Sequence, residues 1–237
     1  MTRVDRDANE PHRVLCVFAH PDDPEFFCGA TLAKWSREGK EIRYLLLTSG
    51  EKGTDDPTQS ERMIAVRQAE QRAAAQVIGV NEVVFLDYRD GEVANTLEVR
   101  REIVRAIRRF KPRIVVTNDP TMYFAGNSWI NHVDHRMAGA AVVDALSPAA
   151  GSRLYFPELL KEGLEPFSPK EVWLTLTNEP NETVDVTDTI NIKIAALLEH
   201  KSQVKEPPDQ FAKRIKGRLR RPIFQVHRER FRVIRFW

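Results

Sequence analysis

"RVLCVFAHPDDPEFFCGATLAKW", residues 13–35, opens on a near-continuous apolar run over 13–19 that is rich in strand formers. Such a run predicts a strand covered on both faces, as in a parallel sheet. Its tip carries one imidazole and three carboxyl groups, His20, Asp22, Asp23 and Glu25, before a helix over 29–39 that Gly39 stops. A strand, an acidic turn and a helix make the first half of a βαβ unit.

The alternation continues outward. Further strands are predicted over 41–50, 82–86 and 113–117, and helices over 60–79, 96–110 and 135–146. Ser60 is a candidate N-cap, and Leu97, Ile103, Val104 and Ile107 are spaced as on an amphipathic helix. The expected fold is α/β, a Rossmann-like, doubly wound, mostly parallel sheet. A later strand over 172–177 and a helix over 187–203 precede "KEPPDQ" (205–210), the best linker candidate. One domain is expected over 1–210. A basic appendage over 211–237 is expected to pack on it or on a neighbouring subunit.

That appendage holds ten of the 36 Lys/Arg against one acid, so the remainder is net acidic although the chain totals +2. Its end, "FRVIRFW", alternates apolar and basic residues as a half-exposed strand does, which argues against a nucleic-acid arm. With 42% hydrophobic and 30% charged residues, the 237-residue chain should fold as a soluble globule. No apolar stretch approaches the ~18 residues of a membrane span. The N-terminal "MTRVDRDANEPHR" lacks the apolar centre of a signal peptide. Cys16 and Cys28 sit in apolar contexts and read as reduced thiols, so a cytoplasmic location is expected.

In open parallel sheets, ligands bind beyond the carboxyl ends of the strands. A dinucleotide would need glycine at the first turn and no negative charge there. Here the turn is acidic, and a cation is its natural occupant. A catalytic zinc takes three ligands of the His, Asp and Glu type and keeps one position open. Of the six histidines, His12, His200 and His227 look poorly placed, in the polar N-terminal segment, at the close of a late helix and in the basic tail. His132 and His135, in "NSWINHVDHRMAG" (127–139), follow the fourth strand and share one side of a helical turn. A helix-capping Asp pair and a surface His pair are the plain alternatives. Occurring together at two strand ends, they favour a metal site at the carboxyl edge of the sheet.

"AHPDD" (19–23), "TSGEKG" (48–53) and "NHVDHR" (131–136), each after a predicted strand, resemble the LmbE/PIG-L family of zinc-dependent N-deacetylases. Members remove acetyl groups from N-acetylglucosamine-containing molecules, and the likeness runs from 13 to 203. The resemblance implies one Zn2+ per chain, other divalent metals being admissible, held by His20, Asp23 and His135. It makes Asp22 the general base, His132 the group that polarises the carbonyl, and Asp134 the partner of His132, raising its pKa. Glu51, Arg67 and Asp90 are candidate substrate-binding residues, with loop capping, a surface charge and a turn as their alternatives. Pro24 stands where the family has Glu, which leaves Glu25 without an assigned role. Tyr123, Phe124 and Trp129 would stack on a sugar or pack their loop, and Asn118 and Asp119 would lie at the rim.

The implied function is a zinc-dependent hydrolase that uses metal-activated water to remove an N-acetyl group from an N-acetylglucosamine-containing or related small substrate. An amidase for a larger, thiol-conjugate-like amide and a non-catalytic carbohydrate-binding protein are the alternatives. Family members often assemble through the face holding the site, so a homo-oligomer is possible.

Overall fold

The computed structural model describes residues 12–221 and 226–236. The polar stretch 1–11 and residues 222–225 and 237 of the basic tail lie outside the described residues. The chain runs β1 (Arg13–Phe18), α1 (Asp23–Arg37), β2 (Glu41–Thr48), α2 (Ser60–Ile78), β3 (Glu82–Tyr88), α3 (Leu97–Phe110) and β4 (Ile114–Asn118). A hairpin of β5 (Phe124–Ala125) and β6 (Trp129–Ile130) leads into α4 (Val133–Asp144) and α5 (Glu158–Lys161). Then come β7 (Glu171–Thr175), β8 (Glu182–Asp185), α6 (Ile190–Leu198), α7 (Pro208–Leu219), β9 (Arg220–Arg221) and β10 (Val226–Arg235).

The main sheet has the order β3-β2-β1-β4-β7-β10-β8. Strands β3 through β7 in that order pair in parallel, with Val14 of β1 opposite Ile42 of β2 and Ile114 of β4. Only β10 runs antiparallel, to β7, β8 and β9. The doubly wound, mostly parallel sheet expected above is therefore present. β1 alternates between two cores. Leu15, Val17 and Ala19 pack with α3 and α4, and Val14, Cys16 and Phe18 pack with α1 and α2. Strand order reverses direction between β1 and β4, which places the switch point of the sheet at their carboxyl ends. No helix among the described residues is long and apolar enough to cross a membrane.

Two differences from the sequence reading have plain causes. Helix α1 begins at Asp23, six residues before the expected start, because Pro24 falls in the first turn, where its fixed φ suits a helix. The apolar period starts only at 29 because the helix is broken just before it, at Cys28 (φ −146°, ψ 15°). The expected linker runs into α7, which Pro208 opens and which Phe211 and Ile215, four apart, bury against Ile194 and Leu197 of α6. The basic tail contributes β10, lying between β7 and β8, with Phe231 and Val233 in the core. Arg232 meets Glu179 at 3.0 Å and Arg235 meets Glu182 at 3.0 Å.

Candidate functional site

His20 leaves the tip of β1, and the turn that follows brings Asp23 back beneath it. The His20 backbone N–H donates to Asp23 Oδ2 at 2.9 Å, and His20 Nδ1 lies 3.4 Å from the same oxygen. From α4, His135 Nε2 lies 3.0 Å from Asp23 Oδ1. The approach of α4 depends on Gly139, where a Cβ would overlap the carbonyl oxygen of Asn118 at the end of β4. One ligand atom from each of His20, Asp23 and His135 falls within 4.8 Å of the others, and all three residues are buried. The outer ring nitrogens are anchored as in metal-ligating histidines. His20 Nε2 is 3.1 Å from Asp134 Oδ2 and 3.2 Å from Asp90 Oδ1, while His135 Nδ1 bonds Asn131 Oδ1 at 2.9 Å. Two imidazoles with fixed outer nitrogens and a carboxylate between them are a donor set that fits a borderline cation such as zinc.

Burial works against the His20 cation, yet Asp23, Asp134 and Asp90 outweigh it and hold the imidazole well above its ordinary pKa. Burial likewise disfavours the Asp23 anion, but His135 and His20 outweigh it and hold the carboxyl far below the usual range. A cation would replace those shared protons as the partner of Asp23.

Asp22 occupies the N-cap position of α1 with φ 86°, and its side chain makes no capping bond. The helix-cap alternative for this residue therefore falls away. Its backbone N–H donates to Gln71 Oε1 at 2.8 Å, and its Oδ2 accepts from Arg67 Nη2 at 3.0 Å. Burial pushes the Asp22 carboxyl up to about 6, with Arg67 pulling it down and Asp23 pushing it up.

Arg67 lines the cavity, but its guanidinium is spent on the protein. It donates to Gly50 O and Pro21 O at 2.7 Å each, besides Asp22, which makes it a support for that carboxylate rather than a free substrate contact. Gly50 explains part of "TSGEKG". It has φ +66°, and a Cβ there would overlap Arg67. Gly50→Ala is therefore expected to destabilise the fold by about 1–3 kcal/mol in urea unfolding. It should also displace Arg67 from Asp22 in a crystal structure of the variant.

His132 and Asp134 depart from the expected pairing. Helix α4 starts at Val133, so side chains two apart point to different sides of its first turn. The Asp134 carboxyl turns inward to His20 Nε2 and accepts from the backbone N–H of Gly91 (2.6 Å) and Val93 (3.2 Å). It orients His20 instead of pairing with the His132 ring. His132 is the N-cap, its Nδ1 accepting from the Asp134 backbone N–H at 3.2 Å. Burial lowers its pKa and the nearby His20 adds to that, outweighing the opposite pull of Asp134. Both effects favour the neutral ring, and an accepting Nδ1 leaves Nε2 as the donor of a residue that lines the cavity.

Of the other candidate substrate residues, Asp90 lines the cavity, but its oxygens are taken by His20 and by the Lys52 backbone N–H (3.1 Å). Glu51 caps the loop, accepting from the Asp90 N–H at 2.9 Å. Asn118 and Asp119 are buried rather than at the rim, bonding Thr175 and Thr121 respectively. Trp129 does line the cavity, whereas Tyr123 stacks under Arg136 and Phe124 is exposed. His200 is no stray, being wholly buried with Nε2 3.3 Å from Glu25 Oε2. Asn131, Gln71 and Arg218, a further cavity residue, carried no sequence signal beyond the position of Asn131 four before His135.

The cavity measures about 880 Å³ and opens above His20, Asp22, Asp23, His132 and His135. Such a space exceeds one acetamido sugar and lies in the range of ordinary small-ligand pockets.

The pattern of the GlcNAc-PI de-N-acetylase (PIG-L) family matches residues 15–146. Diacetylchitobiose deacetylase of Thermococcus kodakarensis is 36% identical over 211 residues, spanning 87% of this chain and 77% of that protein. A 1D-myo-inositol 2-acetamido-2-deoxy-alpha-D-glucopyranoside deacetylase of a Mycobacterium species is 28% identical over 253 residues, spanning 89% and 80%. Among solved structures, N,N'-diacetylchitobiose deacetylase of Pyrococcus horikoshii superposes with a TM-score of 0.85 at 29% identity, covering 95% of this chain and 85% of that one.

Proposed function

The chain belongs to the PIG-L family, and from that membership and the site geometry we propose that it is a zinc-dependent N-deacetylase acting on an N-acetylglucosamine-containing or related small substrate. The observation that carries the reading is Asp23 lying between His20 and His135, with the Asp22 carboxylate beside it, making no helix-capping bond and held by Arg67. The names of its relatives, deacetylases of diacetylchitobiose and of an acetamido-glucopyranoside of inositol, support the substrate class.

His20, Asp23 and His135 would hold the ion. Zinc there supplies a Lewis acid that polarises an amide oxygen and makes water more acidic. Asp22, with its pKa raised to about 6, is ionised at neutral pH and basic enough to take a proton from the attacking water. As the carbon–oxygen bond forms, negative charge develops on the amide oxygen, and the His132 Nε2–H donates to it. When the carbon–nitrogen bond breaks, the departing amine takes the proton that Asp22 had accepted. Acetate and a free amine result, and Asp22 returns to its starting state. Arg67 keeps the Asp22 carboxylate on the cavity side throughout.

The test is acetate release from N,N'-diacetylchitobiose and N-acetylglucosamine, with and without chelator. We expect release that chelation abolishes and zinc restores. No acetate from zinc-loaded protein on any acetamido sugar would overturn the reading. The cavity volume also admits one variation, a larger acyl group on the same nitrogen. Release of the larger acid in preference to acetate would identify it.

A further inference from the structure

The geometry points to Gln71 as a positioning residue that sets the direction of the Asp22 carboxylate through the Asp22 backbone, with Glu25 and His200 locking the amide behind it. The inference rests on the reading of Asp22 as the base and concerns how that base is aimed.

Asp22 is a non-glycine residue at φ 86°. That conformation is unfavourable for an L-residue and persists only where neighbours hold it. Two side chains of α2 do so. Arg67 and Gln71, four apart and hence on one face of the helix, take the carboxylate and the backbone N–H of Asp22 respectively. Arg67 also holds Pro21 O, one edge of the Pro21–Asp22 peptide, and Gln71 holds the opposite edge through the Asp22 N–H, so without Gln71 that plane is gripped from one side only.

An amide can present either its oxygen or its NH2 group to a partner. In Gln71 the choice is forced. Nε2 donates to both Glu25 carboxyl oxygens at 3.1 Å, so Oε1 must face the Asp22 N–H. Glu25 is itself held by His200 Nε2 at 3.3 Å, across 175 residues of sequence. Glu25, Gln71 and His200 each have 0% exposure. None of them lines the cavity, so no substrate atom meets them. Burying three polar side chains where Leu or Met would pack carries a desolvation cost. The network offsets that cost by fixing one orientation of one turn, the turn that bears the base.

The test uses three variants of the full chain. Gln71→Met keeps the volume and removes the acceptor. Gln71→Glu keeps the acceptor but sets carboxyl against carboxyl at Glu25. Glu25→Gln/Gln71→Glu exchanges the two groups, so the new carboxyl still accepts from Asp22 and the new amide still bridges to His200. Gln71→Met and Gln71→Glu are expected to lower kcat roughly 10- to 100-fold with KM and zinc stoichiometry unchanged. The exchange should restore kcat to within about threefold of wild type. In metal-free Gln71→Met protein, hydrogen-exchange protection of the Asp22 amide should fall at least about tenfold. A kcat within twofold of wild type for Gln71→Met, or a double variant no faster than Gln71→Glu alone, overturns the inference. Should the wild type hydrolyse no acetamido sugar, the functional reading fails by itself. The Asp22 amide then still decides this point, since unchanged protection in Gln71→Met would show that Gln71 does not hold the turn.

Discussion

Asp22→Asn is expected to bind zinc as the wild type does while losing turnover by on the order of 10³-fold. The separation of these two effects follows from the geometry. The three candidate ligands are His20, Asp23 and His135, and Asp22 donates no atom to that group. Its Oδ2 rests on Arg67 and its N–H on Gln71, and the amide oxygen of asparagine can keep the first contact while the second belongs to the backbone. The turn, the ligand set and the cavity are therefore all preserved. What disappears is a carboxylate whose pKa burial has raised to about 6, near enough to neutrality to accept a proton from water and surrender it to an amine. An amide cannot do either. Metal content by elemental analysis alongside kcat for acetate release tests both halves. A variant retaining a tenth or more of wild-type turnover would assign the base elsewhere, and one that lost its metal would make Asp22 a ligand.

The parts of this site legible in the sequence are those that strand ends dictate. β1 and β4 announce themselves as apolar runs, so the residues just beyond them, His20, Asp23, His132 and His135, had to meet at one edge of the sheet. Where side chains point after that was not legible. The expected Asp134–His132 pair dissolves because α4 begins at Val133, and the partner that Asp134 finds lies 114 residues away. His200 and Glu25 are unremarkable singly and acquire meaning only when α6 packs beside α1. Arg67 was visible as a family match, but its three partners, two of them backbone carbonyls, left no trace in the pattern. The tail was legible in part. Its alternation over "FRVIRFW" showed a strand with Phe231 and Val233 on one face, but the basic run before it hid that the strand starts at Val226 and lies between β7 and β8.

That tail also governs the second large effect. Glu229→Ala is expected to destabilise the protein by about 3–5 kcal/mol, measured as a shift in urea unfolding. Glu229 and Lys193 are each 2% exposed, and Lys193 Nζ lies 2.6 Å from Glu229 Oε1. The pair sits at the break in α1 around Cys28, where the backbone needs outside partners. Lys193 donates to Phe26 O at 2.8 Å, and Glu229 accepts from the N–H groups of Ala30 (3.3 Å) and Thr31 (2.8 Å). Removing Glu229 leaves a buried ammonium without its carboxylate and two buried donors without acceptors, costs that add in the same direction. Lys193→Met/Glu229→Ala should recover part of the loss, because the unpaired charge is gone while the two donors remain. A loss below about 1 kcal/mol for Glu229→Ala would mean that water or a neighbouring group takes over these contacts, and that β10 does not anchor α1. The consequence reaches the site through the helix itself. The first turn of α1 carries Asp23 and its cap is Asp22, so a helix that shifts at its break moves a candidate ligand and the proposed base together. Glu229→Ala should accordingly weaken zinc binding, measured by competition with a chelator, as well as stability, although Glu229 lies 94 or more residues from the candidate ligands His20, Asp23 and His135 in sequence.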